Sequence, residues 1–303
     1  MASVIASFSQ ELATAAEQVG SSVVTVHARH RVPSSGIHWR QGVVVTANHT
    51  VRREDDIAVL IHGGKRVSAK LAGRDSGTDL AILKFDENAG LPIPQFSDAT
   101  TLKLANFVLA LGRTRFGSVV ASAGIIGGLG GEWRTWRGGQ IDQSIRLDLA
   151  LYSGFSGGPL VNTGGKVLGL NTNGFGRGRA VTIPVSTVNR TVDELLEKGH
   201  IARPYLGIAM QPVAVPEALR GKLKSSAEGG LMVLHVEPGG PADAAGILLG
   251  DVIVELQGQP ALDTEHIQDL LASAKVNQKI AATVIRGGAP LDLSITLGER
   301  PAK

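Results

Sequence analysis

Short apolar runs separated by turn residues fill the first two thirds of the chain. Glycine-containing turns, such as Gly63-Gly64 and residues 75–77, divide these runs. No long helical pattern interrupts residues 22–185, so the sequence predicts antiparallel barrels or a sandwich rather than a parallel α/β sheet. The predicted strands cover residues 22–28, 42–46, 57–61, 66–71, 80–85, 107–111, 118–126, 140–147, 160–161 and 167–171.

Two amphipathic helices are predicted on either side of this β-rich region. Residues 3–18 and residues 187–198 both carry apolar side chains at helical spacing. Gly199 is well suited to end the second helix. The apolar face of the first helix must be covered either by the same chain or by another subunit, and the sequence leaves both possibilities open.

The last hundred residues have a different pattern. Strands are predicted at 206–211, 231–236, 251–256, 280–285 and 291–297, with helices near 242–245 and at 264–274. Arg203-Pro204 is interpreted as a linker before this compact α+β unit. The predicted organisation is therefore an N-terminal segment over 1–20, a β-rich domain over 21–200 and a small α+β domain over 204–299.

Composition and charge exclude several classes of protein. The 303 residues are 43% apolar and 19% charged, which permits a packed core. The 30 basic and 27 acidic residues are too balanced to indicate nucleic-acid binding. The absence of cysteine excludes disulfides, thiolate metal sites and cysteine nucleophiles. No metal ligand set or nucleotide-binding loop is recognisable, so we expect no cofactor.

The sequence predicts no integral membrane segment. No apolar run approaches the roughly 18 residues that a spanning helix needs. Residues 1–20 lack the basic and continuous apolar regions of a signal peptide. We therefore expect a cytoplasmic protein as the chain stands, or a periplasmic one if a leader has been removed.

The segment Gly154-Phe155-Ser156-Gly157-Gly158 is the strongest candidate for chemistry. Glycines around a serine permit tight turns and let backbone N–H groups converge on one point. The spacing also matches the nucleophile elbow of α/β-hydrolases, but that motif requires a helix after the serine. A proline and an apolar strand follow here, so the elbow interpretation fails.

A serine nucleophile needs a base and a group that orients the base. His49 follows the apolar strand predicted at 42–46, and Asp79 directly precedes the strand at 80–85. The order His, Asp, Ser is the one used by chymotrypsin-fold enzymes, whereas subtilisin-type enzymes and α/β-hydrolases use other orders.

These motifs resemble those of the HtrA (Deg) family of serine proteases. Residues 46–51 are similar to its histidine motif, 78–83 to its aspartate motif and 156–162 to its serine motif. Residues 124–126 and 181–184 match two further family segments. The resemblance implies a mainly β fold, with a chymotrypsin-like double β-barrel as the trypsin-like protease domain (21–200) and a C-terminal PDZ domain (204–299).

The resemblance also implies roles for the motif residues. Ser156 becomes the nucleophile, His49 the general base and Asp79 the group that orients it. The turn Gly154, Phe155, Ser156 becomes the oxyanion hole, with the Gly154 and Ser156 N–H groups as its donors. These roles imply an ATP-independent endopeptidase that degrades misfolded or partly unfolded proteins through an acyl-enzyme.

The chain departs from the family just before the serine. Family members carry Asn-Pro-Gly-Asn there, whereas this chain has Tyr152-Ser153-Gly154-Phe155. The loss of the turn-favouring Asn and Pro leaves open a collapsed oxyanion hole at rest. The alternative function is accordingly a protease-like peptide-binding scaffold or holdase with a resting or degenerate active site.

Primary specificity is predicted from the residues around the expected pocket. Ala150 lies six residues before the serine, where an acid would select Arg or Lys. With Leu151, Leu170 and Thr172, it indicates a preference for small or medium apolar side chains.

The C-terminal domain is expected to bind peptide C-termini. Tyr205-Leu206-Gly207-Ile208 is similar to the carboxylate-binding loop of family PDZ domains. The resemblance further implies unfolded polypeptides as partners and a homotrimer assembled through the N-terminal region. Residues 133–137 are interpreted as an exposed loop that contacts substrate or a neighbouring subunit.

Overall fold

A computed structural model describes residues 3–30, 32–85, 90–175, 180–221 and 229–300. The chain divides into two compact units, Met1–Ile201 and Ala202–Lys303. The first consists mainly of two closed six-stranded β-barrels, and the second is built on one antiparallel sheet. The expected fold class, a double β-barrel followed by a small α+β unit, is confirmed.

Helix α1, Val4–Gly20, begins the first unit. The Ser3 hydroxyl accepts a hydrogen bond from the Ala6 N–H at 3.1 Å and so caps the helix. Val19 is buried in the core, and the ring of Phe8 meets that of Phe107 edge-on at 5.1 Å between centroids. The helix thus docks on its own chain, although its first residues remain exposed.

The first barrel has the strand order β1-β2-β3-β6-β5-β4, with antiparallel pairs throughout. Alternating valine, isoleucine and leucine side chains fill it, because strand residues point to opposite faces in turn. Its strands are β1 Val23–His27, β2 Ser34–Arg40, β3 Val43–Ala47, β4 Ile57–Leu60, β5 Arg66–Asp75 and β6 Leu80–Phe85.

Strand β2 was not predicted, because Ser-Ser-Gly at its start resembles a turn. Gly36 is required there by packing rather than by a turn. A Cβ at this position would lie 2.8 Å from Val44 Cγ1 and 2.9 Å from Val26 Cγ2. Strands β1, β2 and β3 can therefore pack closely only around a residue without a side chain.

The second barrel has the strand order β11-β14-β13-β12-β7-β8. Two short strands, β9 and β10, form a hairpin outside it. The bounds are β7 Phe107–Arg113, β8 Val119–Gly130, β9 Trp133–Arg134, β10 Gln140–Ile141, β11 Ser144–Asp148, β12 Pro159–Asn162, β13 Val167–Thr172 and β14 Val181–Pro184.

The largest core cluster of this unit joins side chains of the two barrels to helix α2, Val185–Lys198. Trp39 is 2% exposed, and its Nε1 donates to Asn189 Oδ1 of α2 at 2.8 Å. Gly199 ends the helix in the left-handed conformation, as predicted. The cluster fixes the two barrels against each other, and the candidate site is built from residues of both.

The hairpin of β9 and β10 corrects the expectation of an exposed loop at 133–137. Trp133 is half-buried and packs edge-on against Phe175, with 5.4 Å between the ring centroids. Thr135 is 2% exposed and donates to the Gly77 carbonyl at 2.8 Å. Trp136, which is 67% exposed, and the exposed Arg137 match the expectation. The inner face of the hairpin therefore supports the turn that precedes Asp79.

The second unit is an antiparallel sheet with the order β16-β17-β18-β20-β21, to which β19 adds beside β18. Strands β15 and β22 pair separately, so Pro204 belongs to a strand and not to the expected linker. The elements are β15 Pro204–Tyr205, β16 Ile208–Ala214, α3 Glu217–Arg220, β17 Gly229–Val236, α4 Pro241–Ala244, β18 Val252–Leu256, β19 Gln259–Pro260, α5 Thr264–Ser273, β20 Lys279–Arg286, β21 Ala289–Thr296 and β22 Gly298–Glu299.

None of the helices in the described ranges is long and apolar enough to cross a membrane.

Candidate active site

The first barrel brings His49 and Asp79 together through strand pairing. His49 lies in a 3-10 helix, Asn48–Thr50, directly after β3, and Asp79 directly precedes β6. Strands β3 and β6 are antiparallel neighbours, and Ala47 pairs with Leu80. The end of one strand therefore meets the start of the other, which sets the two side chains side by side.

The imidazole and the carboxylate form a close pair. His49 Nδ1 lies 2.8 Å from Asp79 Oδ2, and the His49 backbone N–H donates to Asp79 Oδ1 at 2.8 Å. The Asn48 N–H also donates to the Asp79 carbonyl at 2.9 Å. This arrangement can hold Nδ1 as the protonated nitrogen and leave Nε2 as the basic one.

Asp79 is held in an uncommon backbone conformation, with φ at +58°. The preceding turn supports it, since the carboxylate of Asp75 accepts from the N–H groups of Gly77 and Thr78, both at 3.0 Å. Asp75 is itself 3% exposed. Strain of this kind persists only where the surroundings determine the conformation, as the buried turn does here.

Thr172 supplies a further partner for Asp79 from the second barrel. Its hydroxyl donates to Asp79 Oδ2, the same oxygen that faces His49, and accepts from the Gly174 N–H at 2.8 Å. Thr172 is fully buried. The sequence interpretation placed it in the specificity pocket. In the structure its hydroxyl instead orients the carboxylate.

The nucleophile segment consists of two consecutive tight turns. The Phe155 N–H donates to the Tyr152 carbonyl at 3.0 Å, and the Gly158 N–H donates to the Phe155 carbonyl at 2.9 Å. Gly154 and Gly157 occupy the third positions of these turns with φ of +97° and +90°. Positive φ at that position is the signature of type II turns and favours glycine there.

The peptide unit between Gly154 and Phe155 is fixed at both ends. Its carbonyl accepts from the Ser35 hydroxyl at 2.7 Å, and its N–H donates to the Tyr152 carbonyl at 3.0 Å. Phe155 is therefore not a free donor, which corrects its inclusion in the expected oxyanion hole. Within the described residues, the N–H groups of Gly154 and Ser156 have no intramolecular acceptor.

The Ser156 hydroxyl does not donate to His49 in this structure. It donates to Asn173 Oδ1 at 3.0 Å, and Ser156 is only 5% exposed. The Asn173 side chain was not singled out in the sequence, where an asparagine after a strand is typical of a turn. The structure thus brings the three predicted residues into one region, with the acid and base paired and the hydroxyl engaged elsewhere.

The other residues expected in the specificity pocket divide into two groups. Ala150 is exposed and Leu151 is half-buried, both before the nucleophile turns. Leu170 is fully buried in the cluster between the barrels. The Leu170 side chain packs in the core, and the Thr172 hydroxyl donates to the Asp79 carboxylate. Neither side chain is therefore available to a substrate. This corrects their assignment as pocket residues.

In the second unit, the segment 205–208 joins two strands. Tyr205 ends β15 and Ile208 begins β16, the edge strand of the sheet. Gly207 has φ of +76°. The carbonyls of Leu206 and Gly207 accept from other parts of the unit at 2.9 and 2.8 Å, which fixes the shape of the segment.

Two regions of the chain match family models. Residues 34–170 match the trypsin-like peptidase domain and residues 204–297 match the PDZ domain. The chain is 37% identical over 272 residues to the serine protease Do-like HtrA of Lactobacillus helveticus, covering 85% of this chain and 65% of the relative. It is 32% identical over 280 residues to a probable periplasmic serine endoprotease DegP-like of Rhizobium meliloti, covering 90% and 55%.

Solved structures agree with these matches. The serine endoprotease from Yersinia pestis superposes with a TM-score of 0.73 at 27% identity, covering 96% of this chain and 98% of that one. The HtrA-type protease AlgW, solved with a decapeptide, gives 0.72 at 25% identity, covering 96% and 99%. The present chain spans 65% and 55% of the length of the two curated relatives above.

The fold, the site and these matches define a trypsin-like peptidase domain followed by one PDZ domain. Over most of its length the chain is similar to HtrA serine proteases, as its ordered motifs predict.

Proposed function

We propose that this chain is a serine endopeptidase in which Ser156 is the nucleophile, His49 the general base and Asp79 the group that orients the base. The observation that carries the proposal is the 2.8 Å contact between His49 Nδ1 and Asp79 Oδ2. A base oriented in this way takes the serine proton as the hydroxyl attacks a peptide carbonyl, and later returns it to the leaving amine.

The nucleophile turns supply the other requirement of acyl transfer, which is stabilisation of the oxyanion. The N–H groups of Gly154 and Ser156 are uncommitted among the described residues, and the peptide unit between them is fixed. Preorganised donors of this kind contribute about 3–4 kcal/mol each to the transition state. Their availability supports catalysis by a formed rather than a collapsed hole.

The test of this function is cleavage of casein without ATP, compared with Ser156→Ala. We expect the variant to keep its fold and to lose activity by at least roughly 10⁴-fold. Labelling of the parent by a fluorophosphonate, with the modified residue located by mass spectrometry, identifies the nucleophile. Labelling at a serine other than Ser156 contradicts the proposal.

For primary specificity we propose cleavage after small or medium apolar residues. Ala150 and Leu151 are the expected pocket residues whose side chains are not committed to the core, and neither carries a charge. A pocket without an acid gives Arg and Lys no partner for their charge. A peptide-library profile dominated by cleavage after Arg or Lys would refute this preference.

The second unit is proposed to bind peptide C-termini at the segment 205–208. Ile208 begins an edge strand, which can pair with an added peptide strand. Helix α5 contributes the buried Ile267 to the same core as Leu206 and the half-buried Ile208. An apolar C-terminal peptide with a free carboxylate is expected to bind, and its C-terminal amide to bind at least about tenfold more weakly, as measured by fluorescence anisotropy.

The proposed substrates are misfolded or partly unfolded polypeptides, and the proposed assembly is a homotrimer. Exposed apolar side chains at the start of α1 support a subunit contact, since Val4 and Ile5 are 86% and 79% exposed. Deletion of residues 1–18 is expected to yield monomers by analytical ultracentrifugation. A trimer that survives the deletion places the contact elsewhere.

A second candidate function is a peptide-binding scaffold or holdase with a resting active site. The hydrogen bond from Ser156 to Asn173 favours it, because the nucleophile is diverted from its base. Fluorophosphonate labelling discriminates the two functions. A scaffold remains unlabelled even when peptides occupy the second unit, whereas an enzyme becomes labelled.

A further inference from the structure

Asn173 accepts a hydrogen bond from the hydroxyl of the proposed nucleophile. Ser156 Oγ donates to Asn173 Oδ1 at 3.0 Å. A serine hydroxyl carries a single proton, so a hydroxyl that donates to Asn173 does not donate to His49. The carboxamide oxygen and the imidazole nitrogen therefore compete for the same proton.

Ser156 is the one member of the proposed triad that is diverted. The His49 and Asp79 side chains are already in contact at 2.8 Å, and the Thr172 hydroxyl supports the carboxylate. The base thus needs no rearrangement to be oriented. To complete the proposed triad, the Ser156 hydroxyl only has to exchange Asn173 for His49 as its hydrogen-bond acceptor.

The backbone of Asn173 is held on both sides. Thr172 is tied to Asp79 through its hydroxyl, and the Gly174 N–H returns to that same hydroxyl at 2.8 Å. A Cβ at Gly174 would lie 2.3 Å from Asp79 Oδ2, so the segment lies directly against the acid–base pair. The position of Asn173 relative to the nucleophile is therefore built into the fold.

The side chain of Asn173, in contrast, is free to turn away. Asn173 is exposed, whereas Ser156 is 5% exposed. Rotation about the side-chain torsions of an exposed asparagine takes place in picoseconds to nanoseconds. The bond can thus be released without any change in the barrels.

We propose that Asn173 is a positioning residue that holds the Ser156 hydroxyl in a resting orientation, an inference that rests on the proposed protease function. Release breaks the hydrogen bond to Asn173 Oδ1 and allows the same O–H to donate to His49 Nε2. No atom is gained or lost in this exchange. Loss of one neutral hydrogen bond from the resting state is expected to raise the rate of reaction at Ser156 about fivefold to tenfold.

The experiment compares Asn173→Ala, Asn173→Asp and the parent in their second-order rates of labelling by a small fluorophosphonate. Asn173→Ala removes the acceptor and is expected to react about fivefold to tenfold faster, with a matching rise in kcat/KM for an apolar peptide substrate. Asn173→Asp keeps an acceptor oxygen in the same place, so it is expected to react at the parent rate or more slowly.

Gln95→Ala is the matched control. Gln95 is an exposed carboxamide of the same unit that lies outside the proposed site, so its removal is expected to leave labelling unchanged. Circular dichroism and unfolding midpoints verify that each variant is folded. A merely structural role for Asn173 predicts slower labelling of the alanine variant, which is the opposite direction.

The outcomes separate the inference from the function on which it rests. Faster labelling of Asn173→Ala than of a parent that is itself labelled supports the inference. Equal labelling of parent and Asn173→Ala overturns the inference and leaves the protease intact. A loss of peptide cleavage with unchanged labelling makes Asn173 a substrate contact and also overturns it. No labelling of any variant overturns the protease function and the inference together.

Discussion

Ser35 of the first barrel donates its hydroxyl proton to the Gly154 carbonyl of the second barrel at 2.7 Å. The same hydroxyl accepts from the Arg113 N–H at 2.9 Å, and the Ser35 N–H donates to the Ser156 carbonyl at 3.2 Å. One residue of strand β2 therefore contacts the peptide unit that lies between the two proposed oxyanion donors and the peptide unit that follows Ser156. This relationship makes the shape of the nucleophile turns depend on the neighbouring barrel.

The first prediction concerns Ser35→Ala. Loss of the hydroxyl leaves the Gly154 carbonyl without its donor and allows the peptide unit to turn, so we expect kcat to fall about fivefold to tenfold with little change in KM. Steady-state kinetics on an apolar peptide measure the split. Ser35→Thr retains the hydroxyl and is expected to recover most of the activity. An equal loss in both variants would show that bulk at this position, not the hydrogen bond, matters.

The second prediction concerns Gly174→Ala. The added Cβ would lie 2.3 Å from Asp79 Oδ2 and 2.7 Å from His49 Nδ1, which forces the pair apart. Loss of an oriented base costs on the order of 10³–10⁴-fold in kcat. We therefore expect at least about a hundredfold loss in kcat, measured with the same peptide, and an unfolding midpoint close to that of the parent.

Gly131→Ala is the control for that substitution. A Cβ at Gly131 meets nothing within 4 Å, and its φ is likewise outside the left-handed region. We expect this variant to keep full activity. A comparable loss in both variants would mean that glycine flexibility, rather than contact with the pair, explains the result.

The third prediction concerns the pH dependence of stability in the second unit. Asp251 is 2% exposed, and Arg286 donates to both of its carboxylate oxygens, at 2.8 and 2.7 Å. Burial by itself raises the pKa of Asp251, but the hydrogen bonds from Arg286 and the Leu248 N–H, together with the Arg286 charge, lower it overall. The folded-state pKa therefore lies below the unfolded value of about 3.9.

A carboxylate with a lowered pKa stabilises the fold above its unfolded pKa, and this contribution disappears as the pH falls through the folded value. We expect Asp251→Asn to reduce the free energy of unfolding by roughly 2 kcal/mol at pH 7. Urea unfolding of the full chain is monitored through hydrogen exchange of the β18 and β20 amides. The difference in unfolding free energy between the parent and Asp251→Asn should shrink below about pH 4. A difference that is constant from pH 7 to pH 3 contradicts the linkage.

The fourth prediction separates stability from catalysis at Arg113. Its guanidinium is buried, which lowers its pKa, and it donates to the carbonyls of Gly20 and Gly117 at 2.6 and 2.7 Å. Arg113→Met removes both donors, so we expect a loss of about 2–3 kcal/mol in unfolding free energy and faster amide exchange at the end of α1. Labelling by a fluorophosphonate should not change, because the N–H that contacts Ser35 belongs to the backbone.

Arg115→Met is the matched control for Arg113→Met. Arg115 is exposed and its guanidinium lies over the Phe116 ring at 4.5 Å. Surface substitutions of this kind usually change stability by less than about 0.5 kcal/mol. If the two variants lose the same stability, the buried hydrogen bonds of Arg113 are not the cause.

Much of the fold could be predicted because its signals are local. Alternating apolar strands, amphipathic helices and glycine turns each arise within a short window of sequence. The strand β2 is the main exception, since Gly36 is required by contacts with Val26 and Val44 from neighbouring strands. The hairpin at 133–141 was misjudged for the same reason, because its inner face is defined by the turn at Gly77.

By itself, the sequence determined a mainly β first domain, the resemblance to the HtrA family and the order of His49, Asp79 and Ser156, because motifs and apolar periodicity are written in consecutive residues. Only the tertiary structure decided which groups surround them. Thr172 reaches Asp79 across 93 residues, and Ser35 reaches Gly154 across 119. Such contacts follow from barrel closure and from the packing of one barrel on the other, which no local pattern encodes. The partner of the Ser156 hydroxyl was decided in the same way.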